Sequence, residues 1–194
     1  EALWPGAEGD AAAQAFATTL PRLRKLTGDH AIQRQEGRLS LDPHHCWVDA
    51  WALERQIGAL EDTLHETAGS AAQVTEKLFK LYHGPFLGDE PDQPWILSAR
   101  ERLRSKFLRA LESAGVALAK SGDHEAAMVC FRKGLEVDAL AENFYRCLIR
   151  CCLSLGRNAE AISAYQRCRQ MLDRHLGLPP SAETDALYRQ IVTG

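Results

Sequence analysis

The sequence has 194 residues, 45% apolar and 25% charged, which is enough for a buried core and excludes wholesale disorder. Its formal net charge is −3, whereas a dedicated nucleic-acid-binding domain is usually basic, so charge alone does not point to DNA binding by this chain. No apolar run approaches the roughly 18–20 residues of a membrane span, and the first six residues carry no basic-then-apolar leader pattern, so the expectation is a cytoplasmic protein with no membrane partner.

A first helix is predicted from Asp10, after the break at Gly9, through Leu26. Phe16, Leu20, Leu23 and Leu26 recur at spacings of three or four and form an apolar stripe, while Gln14, Thr18, Arg22 and Lys25 fall on the other face. Pro21 interrupts the interior and predicts a kink; Gly28 supplies the stop. Two short segments follow, Ala31 to Gln35 and Arg38 to Leu41, joined by Glu36-Gly37, and read as a β-hairpin that ends at Asp42-Pro43.

From Asp49 onward the chain reads as helix after helix. Asp49 is the expected cap of a helix from Ala50 to Leu64, and the polar stretch Thr67-Ala68-Gly69-Ser70 precedes another that ends near Leu81. Gly84-Pro85 enforces a loop, and a long Arg- and Leu-rich helix runs from Trp95 to Lys120. Gly122 and Gly156 then sit between helical patterns 34 residues apart, the tetratricopeptide period. Ala127 and Ala161, Phe131 and Tyr165, Leu111 and Tyr145, and Ala114 and Leu148 keep the same register. Gly134 and Cys168 depart from the usual pattern, as does Ala139 in place of its proline. Gly177 stops the second copy, and Ser181 caps a last helix with Glu183 and Asp185 in its first turn. Two repeats bury too little on their own, so the earlier helices should complete a stack of about three hairpins with a concave side.

Three groups invite a chemical reading. Cys147 and Cys151 share a helix face beside Cys152, and His44-His45-Cys46 forms a second cluster; without a CxxC pair, and with the cysteines at apolar positions, packing is the stronger reading and no metal or cofactor is expected. Arg100, Arg102, Arg104 and Arg109 make a basic stripe that also suits a solvated face with Glu101 and Glu112 mixed in. Asp123 and His124 look like solvated turn residues. Neither a phosphate-cradling glycine loop nor a nucleophile elbow appears, so an enzyme is not expected.

Several blocks together resemble one family. Trp47-Val48-Asp49-Ala50-Trp51, Leu81 to Leu87, Trp95 with Arg100-Glu101-Arg102-Leu103, Gly156 to Ala161 with Tyr165 to Cys168, and Leu176 to Ser181 with Thr184 and Tyr188 are similar to the bacterial transcriptional activator domain of SARP-type regulators. The resemblance assigns residues 46–194 to a tetratricopeptide-like superhelix. It assigns residues 1–45 to the second half of a winged helix, a mostly α architecture with one helix and a β-hairpin at its N-terminus. Leu3-Trp4-Pro5 resembles the end of that module's second helix, Asp10 to Thr27 its recognition helix and Ala31 to Leu41 its wing. The first strands and first helix are missing from this sequence, and half a winged helix is expected to grip DNA poorly.

The resemblance implies a DNA-binding transcriptional activator. Gln14, Thr18, Arg22 and Lys25 would face promoter DNA, with Arg34 and Arg38 as wing contacts. From the residues alone, the same set also suits a solvated face with ordinary surface arginines. The helical part would mediate self-association as a homodimer, contact RNA polymerase, or receive a signal from another protein domain. The alternative is a tetratricopeptide-type protein-binding adaptor without DNA binding.

Overall fold

The computed structural model describes residue 6, residues 8–66 and residues 71–193. The readings placed on Leu3-Trp4-Pro5 and on Thr67 to Ser70 therefore lie outside the described residues. The chain divides into two compact units, Glu1–Asp49 and Ala50–Gly194.

In the first unit, α1 spans Gly9–Thr27 and is followed by β1, Ile32–Gln35, and β2, Arg38–Leu41. The strands are antiparallel, with Ile32 opposite Leu41 and Gln35 opposite Arg38. The two turn residues Glu36 and Gly37 have φ of 50° and 77°, so the turn twists with the strands as two-residue hairpins require. Pro21 removes the donor that the Ala17 carbonyl would otherwise meet, yet α1 continues through it to Thr27. The apolar stripe on α1 does not become a core. Leu26 is 84% exposed, Leu23 also lies open, and only Ala31, Ile32 and Asp42 are buried among the described residues of this unit. One helix and two four-residue strands are too small to cover a four-residue stripe.

The second unit is built of helices laid side by side in chain order. α2 spans Asp49–Glu66, α3 Ala71–Leu81, α4 Pro94–Lys120, α5 His124–Val137, α6 Glu142–Ser154, α7 Asn158–Leu176 and α8 Ala182–Thr193. From α3 on, each helix packs against the next, and α8 rests on both α6 and α7. α2 contributes Leu53, Ile57 and Leu60 to the same core and ties to α4 through Glu54, which pairs with Lys106 at 2.7 Å and Arg102 at 3.2 Å. This fits the expected helical-hairpin superhelix, with α4/α5 and α6/α7 as the two repeats.

The repeat is visible in the backbone. Gly122 N–H donates to Ala119 O and Asp123 N–H to Leu118 O; 34 residues on, Gly156 N–H donates to Leu153 O and Arg157 N–H to Cys152 O. These nested bonds form the same helix-ending motif twice, and both glycines hold the positive φ it demands, 89° and 70°. The residues expected to fill the gaps do so: Ala127 and Ala161 are fully buried, and Leu111, Tyr145, Phe131 and Tyr165 form the core around them. Phe131 lies over Gly115 of α4, where any Cβ would strike its ring. Upstream, Tyr82 stacks on Phe107 with centroids 4.0 Å apart.

The last helix is fastened by polar contacts. Ser181 donates from its backbone N–H and its hydroxyl to the Glu142 carboxylate, at 2.7 and 2.6 Å, and Thr184 donates its hydroxyl to the same oxygen. The Tyr165 hydroxyl donates to Asp185 at 2.8 Å, and its ring stacks on Tyr188.

Candidate nucleic-acid interface

α1 turns Gln14, Thr18, Arg22 and Lys25 to one side because they are spaced by four, four and three residues, within a single arc of the helix. All four are exposed. Neither Arg22 nor Lys25 has a carboxylate partner among the described residues. The Thr18 hydroxyl is already engaged: it donates back to Gln14 O and Ala15 O of its own helix at 3.1 and 3.0 Å.

The hairpin separates the other two candidates. Arg34 lies opposite Leu39, and Arg38 lies opposite Gln35. Because neighbouring residues on a strand point to opposite faces, Arg34 and Arg38 project from opposite faces of the ribbon. Both are exposed, but one flat surface cannot meet both.

Two residues that the sequence reading passed over hold this unit together. Arg24, on the side of α1 away from Arg22, donates from Nη2 to Ile32 O at 3.2 Å and so anchors the helix to β1. Its Nε is buried without a hydrogen-bond partner. Asp42 is the second. Its carboxylate accepts from the His44 backbone N–H at 2.9 Å and from Gln33 Nε2 at 2.5 Å, with the His44 and His45 Nδ1 atoms at 3.0 and 3.2 Å. The bond from the His44 backbone, helped by the side chains around it, holds the Asp42 carboxyl at about 2, against the pull of its burial. The His44-His45-Cys46 cluster is thus a turn folded around a carboxylate. The local signal was Asp42-Pro43, which marked a turn but not the convergence on one side chain.

The remaining chemical candidates resolve into packing and ion pairs. Five of the six cysteines are buried in the helical core. Burial pushes the thiols of Cys130 and Cys168 up to about 12 and that of Cys151 to about 11, the reverse of an activated thiolate. In the basic stripe, Arg104 pairs with Asp138 at 2.7 Å and with Glu101 at 3.3 Å, and Arg102 with Glu54. Arg100 is turned inward onto the loop before α4. It donates to Phe86 O at 2.7 Å, to Glu90 O at 2.9 Å, to Leu87 O and to Asp92 at 2.6 Å. No helix among the described residues is long and apolar enough to cross a membrane.

A stack of helical hairpins with a 34-residue backbone repeat, preceded in the chain by a helix and β-hairpin unit, defines a helical-repeat protein of the tetratricopeptide-like class. The chain belongs to the bacterial transcriptional activator domain family, whose model matches residues 48–192. It is 25% identical over 195 residues to Regulatory protein AfsR of Streptomyces griseus, a match that covers 99% of this chain and 20% of that protein. The chain thus spans about a fifth of the length of this curated relative. Among solved structures it is similar to Mycobacterium tuberculosis EmbR in complex with a low affinity phosphopeptide, with a TM-score of 0.73 and 20% identity over 98% of this chain and 52% of that one. That likeness is one of fold.

Proposed function

We propose that this chain is part of a DNA-binding transcriptional activator that works in the cytoplasm and is not an enzyme. In this reading residues 1–45 are the recognition helix and wing of a winged helix, and residues 46–194 are the effector part. Gln14, Thr18, Arg22 and Lys25 face promoter DNA, and Arg34 and Arg38, on opposite faces of the ribbon, meet phosphates on either side of a wing that enters a groove edgewise. Base edges fall to Gln14 and Arg22, and phosphates to Lys25 and the wing arginines. The helical part mediates self-association as a homodimer, contact with RNA polymerase, or reception of a signal from another protein domain.

The observation that carries this reading is the α1 face: an exposed row of four polar side chains, two of them cations without ion-pair partners, on a helix braced from behind by Arg24. Between residues 22 and 38 the sequence has five Arg and Lys against Asp29 and Glu36, so this stretch is locally basic in a chain of net charge −3.

The test is promoter binding by the parent protein at two salt concentrations. Each phosphate contact removed should lower the salt slope by about one, so Lys25→Ala should flatten it while Arg22→Ala should also relax sequence preference. If neither substitution changes affinity, slope or preference, α1 is a solvated face and the protein is a protein-binding adaptor.

A further inference from the structure

α8 is attached to the helical unit in a way that its other helices are not. Among the described residues, every other helix of the unit has at least one fully buried apolar side chain: Leu53, Ile57 and Leu60 on α2, Leu78 on α3, and several on each of α4 to α7. The one buried residue of α8 is polar, Thr184, while its apolar Leu187, Tyr188 and Ile191 are only partly covered. Apolar burial is the main force holding packed helices together, so α8 is the helix whose opening exposes least.

Polar pairing selects its place instead. The Glu142 carboxylate accepts from the Ser181 N–H, the Ser181 hydroxyl and the Thr184 hydroxyl. Arg146 meets Glu183 at 3.4 Å, and the Tyr165 hydroxyl donates to Asp185 at 2.8 Å. Three groups on α6 and α7, a carboxylate, a guanidinium and a phenol, thus read four successive polar positions at the start of α8. A segment without that order of hydroxyls and carboxylates would leave them unpaired, so the face is specific for α8 itself. A second copy carries the same segment and can make every one of these contacts.

The connection permits it. Gly177 ends α7 in the left-handed region, and Leu178 and Pro179 are exposed. Pro179 and Pro180 favour an extended, stiff backbone, which holds an opened α8 away from its own body and disfavours its return.

We propose that α8 is an exchangeable latch: it opens as a unit about residues 177–179, and the α6–α7 face it leaves takes α8 of a second copy, joining two chains. The proposal rests on the self-association reading of the helical unit and is independent of DNA contact by α1.

The test uses the full chain and a fluorescent synthetic peptide of residues 178–193. In the natural chain the peptide competes with the resident helix and should bind weakly. Thr184→Ala in the chain weakens only the resident helix, so the peptide should bind about tenfold or more tightly, as the open fraction rises. The same change in the peptide should abolish binding. Adding Glu142→Gln to the Thr184→Ala chain should remove the gain, because the latch is then open in both chains but the acceptor is gone. Tyr188→Ala, which removes the stack on Tyr165, is a second latch variant and should act with the same sign. Amide exchange in both should quicken over residues 182–193 and stay slow in α4 to α6. In a concentrated mixture of the natural chain with a heavier tagged copy, sedimentation should show mixed dimers that persist on dilution. Equal binding by natural and latch-weakened chains, binding indifferent to Glu142, or protection lost throughout the unit overturns the proposal. Dimers that form while no chain binds the peptide overturn exchange and leave self-association to another face. A chain monomeric at every concentration overturns both. Peptide exchange in a parent that binds no promoter removes the DNA reading alone.

Discussion

The Phe144 ring occupies the space that a Cβ on Gly134 would need: built there, the atom would lie 2.5 Å from Cε1 of the ring. α5 and α6 approach at this point, and Phe144 in turn meets Phe131 with the rings tilted by 59° and centroids 6.2 Å apart. Gly134→Ala should therefore destabilise the helical unit by about 1–3 kcal/mol through overpacking, despite alanine's better helix propensity. Gly58→Ala on α2, where a Cβ meets nothing within 4 Å, should stabilise by up to about 1 kcal/mol. Urea unfolding of the two variants reads the contrast, and equal signs would show that the ring moves aside freely.

The Glu142 carboxylate predicts how α8 responds to acid. Burial raises its pKa, but the donors from Ser181 and Thr184 and the charge of Arg146 outweigh this and leave it below the ordinary 4.5. A carboxyl lowered on folding contributes stability that is present above its unfolded pKa and lost as pH falls through its folded value. In the natural protein the contribution of this carboxylate to α8 docking should decline once pH falls below about 4.5 and be lost through its lower folded value, whereas Glu142→Gln should weaken docking at neutral pH, by about 1–3 kcal/mol, and flatten this dependence. Amide exchange across residues 182–193 against pH checks both. An unchanged pH profile in Glu142→Gln would place the acid-sensitive group elsewhere.

Arg100 organises the loop before α4 through a planar fork of donors aimed at three carbonyls and Asp92. Arg100→Lys should not rescue what Arg100→Ala loses, because an ammonium cannot meet divergent acceptors from one position. Both should cost about 2 kcal/mol and speed amide exchange between residues 84 and 93, with little change near Gly156. If lysine restores protection, a point charge is enough.

The thiols predict a simple reactivity count. Cys46 is half-buried and lies near Ala31 O at 3.5 Å, outside the helical core, while the other five are buried. A thiol reagent at pH 8 should label one cysteine quickly and the remaining five only in denaturant. Fast labelling of Cys147 or Cys151 in the folded chain would contradict the packing assigned to them.

The helical unit was legible because its signals are local and periodic. Gly122 and Gly156 punctuate the helices, and Ala127/Ala161 and Phe131/Tyr165 carry the packing at the same interval. Glu36-Gly37 marked the hairpin turn for a similar reason. Gly134 looked like a lapse from the pattern because its cause is Phe144, ten residues away on another helix. The DNA-facing set was readable only as a face of α1. That Arg34 and Arg38 diverge depends on strand register, which the turn sets and composition does not reveal. Asp42 and Arg100 were hidden because one side chain gathers partners from several loop positions, and no spacing rule encodes such convergence.

The succession of neighbours from α4 to α7 also has a kinetic consequence. Each partner helix is reached after only a short connection, so little loop-closure entropy separates one contact from the next. Such a chain should fold on a millisecond or faster scale and can begin wherever a hairpin first holds. The meeting of Phe131, Phe144 and Gly134 is the natural seed, because it joins the two repeats at their middle. Growth from there proceeds outward in both directions, and α8 settles last.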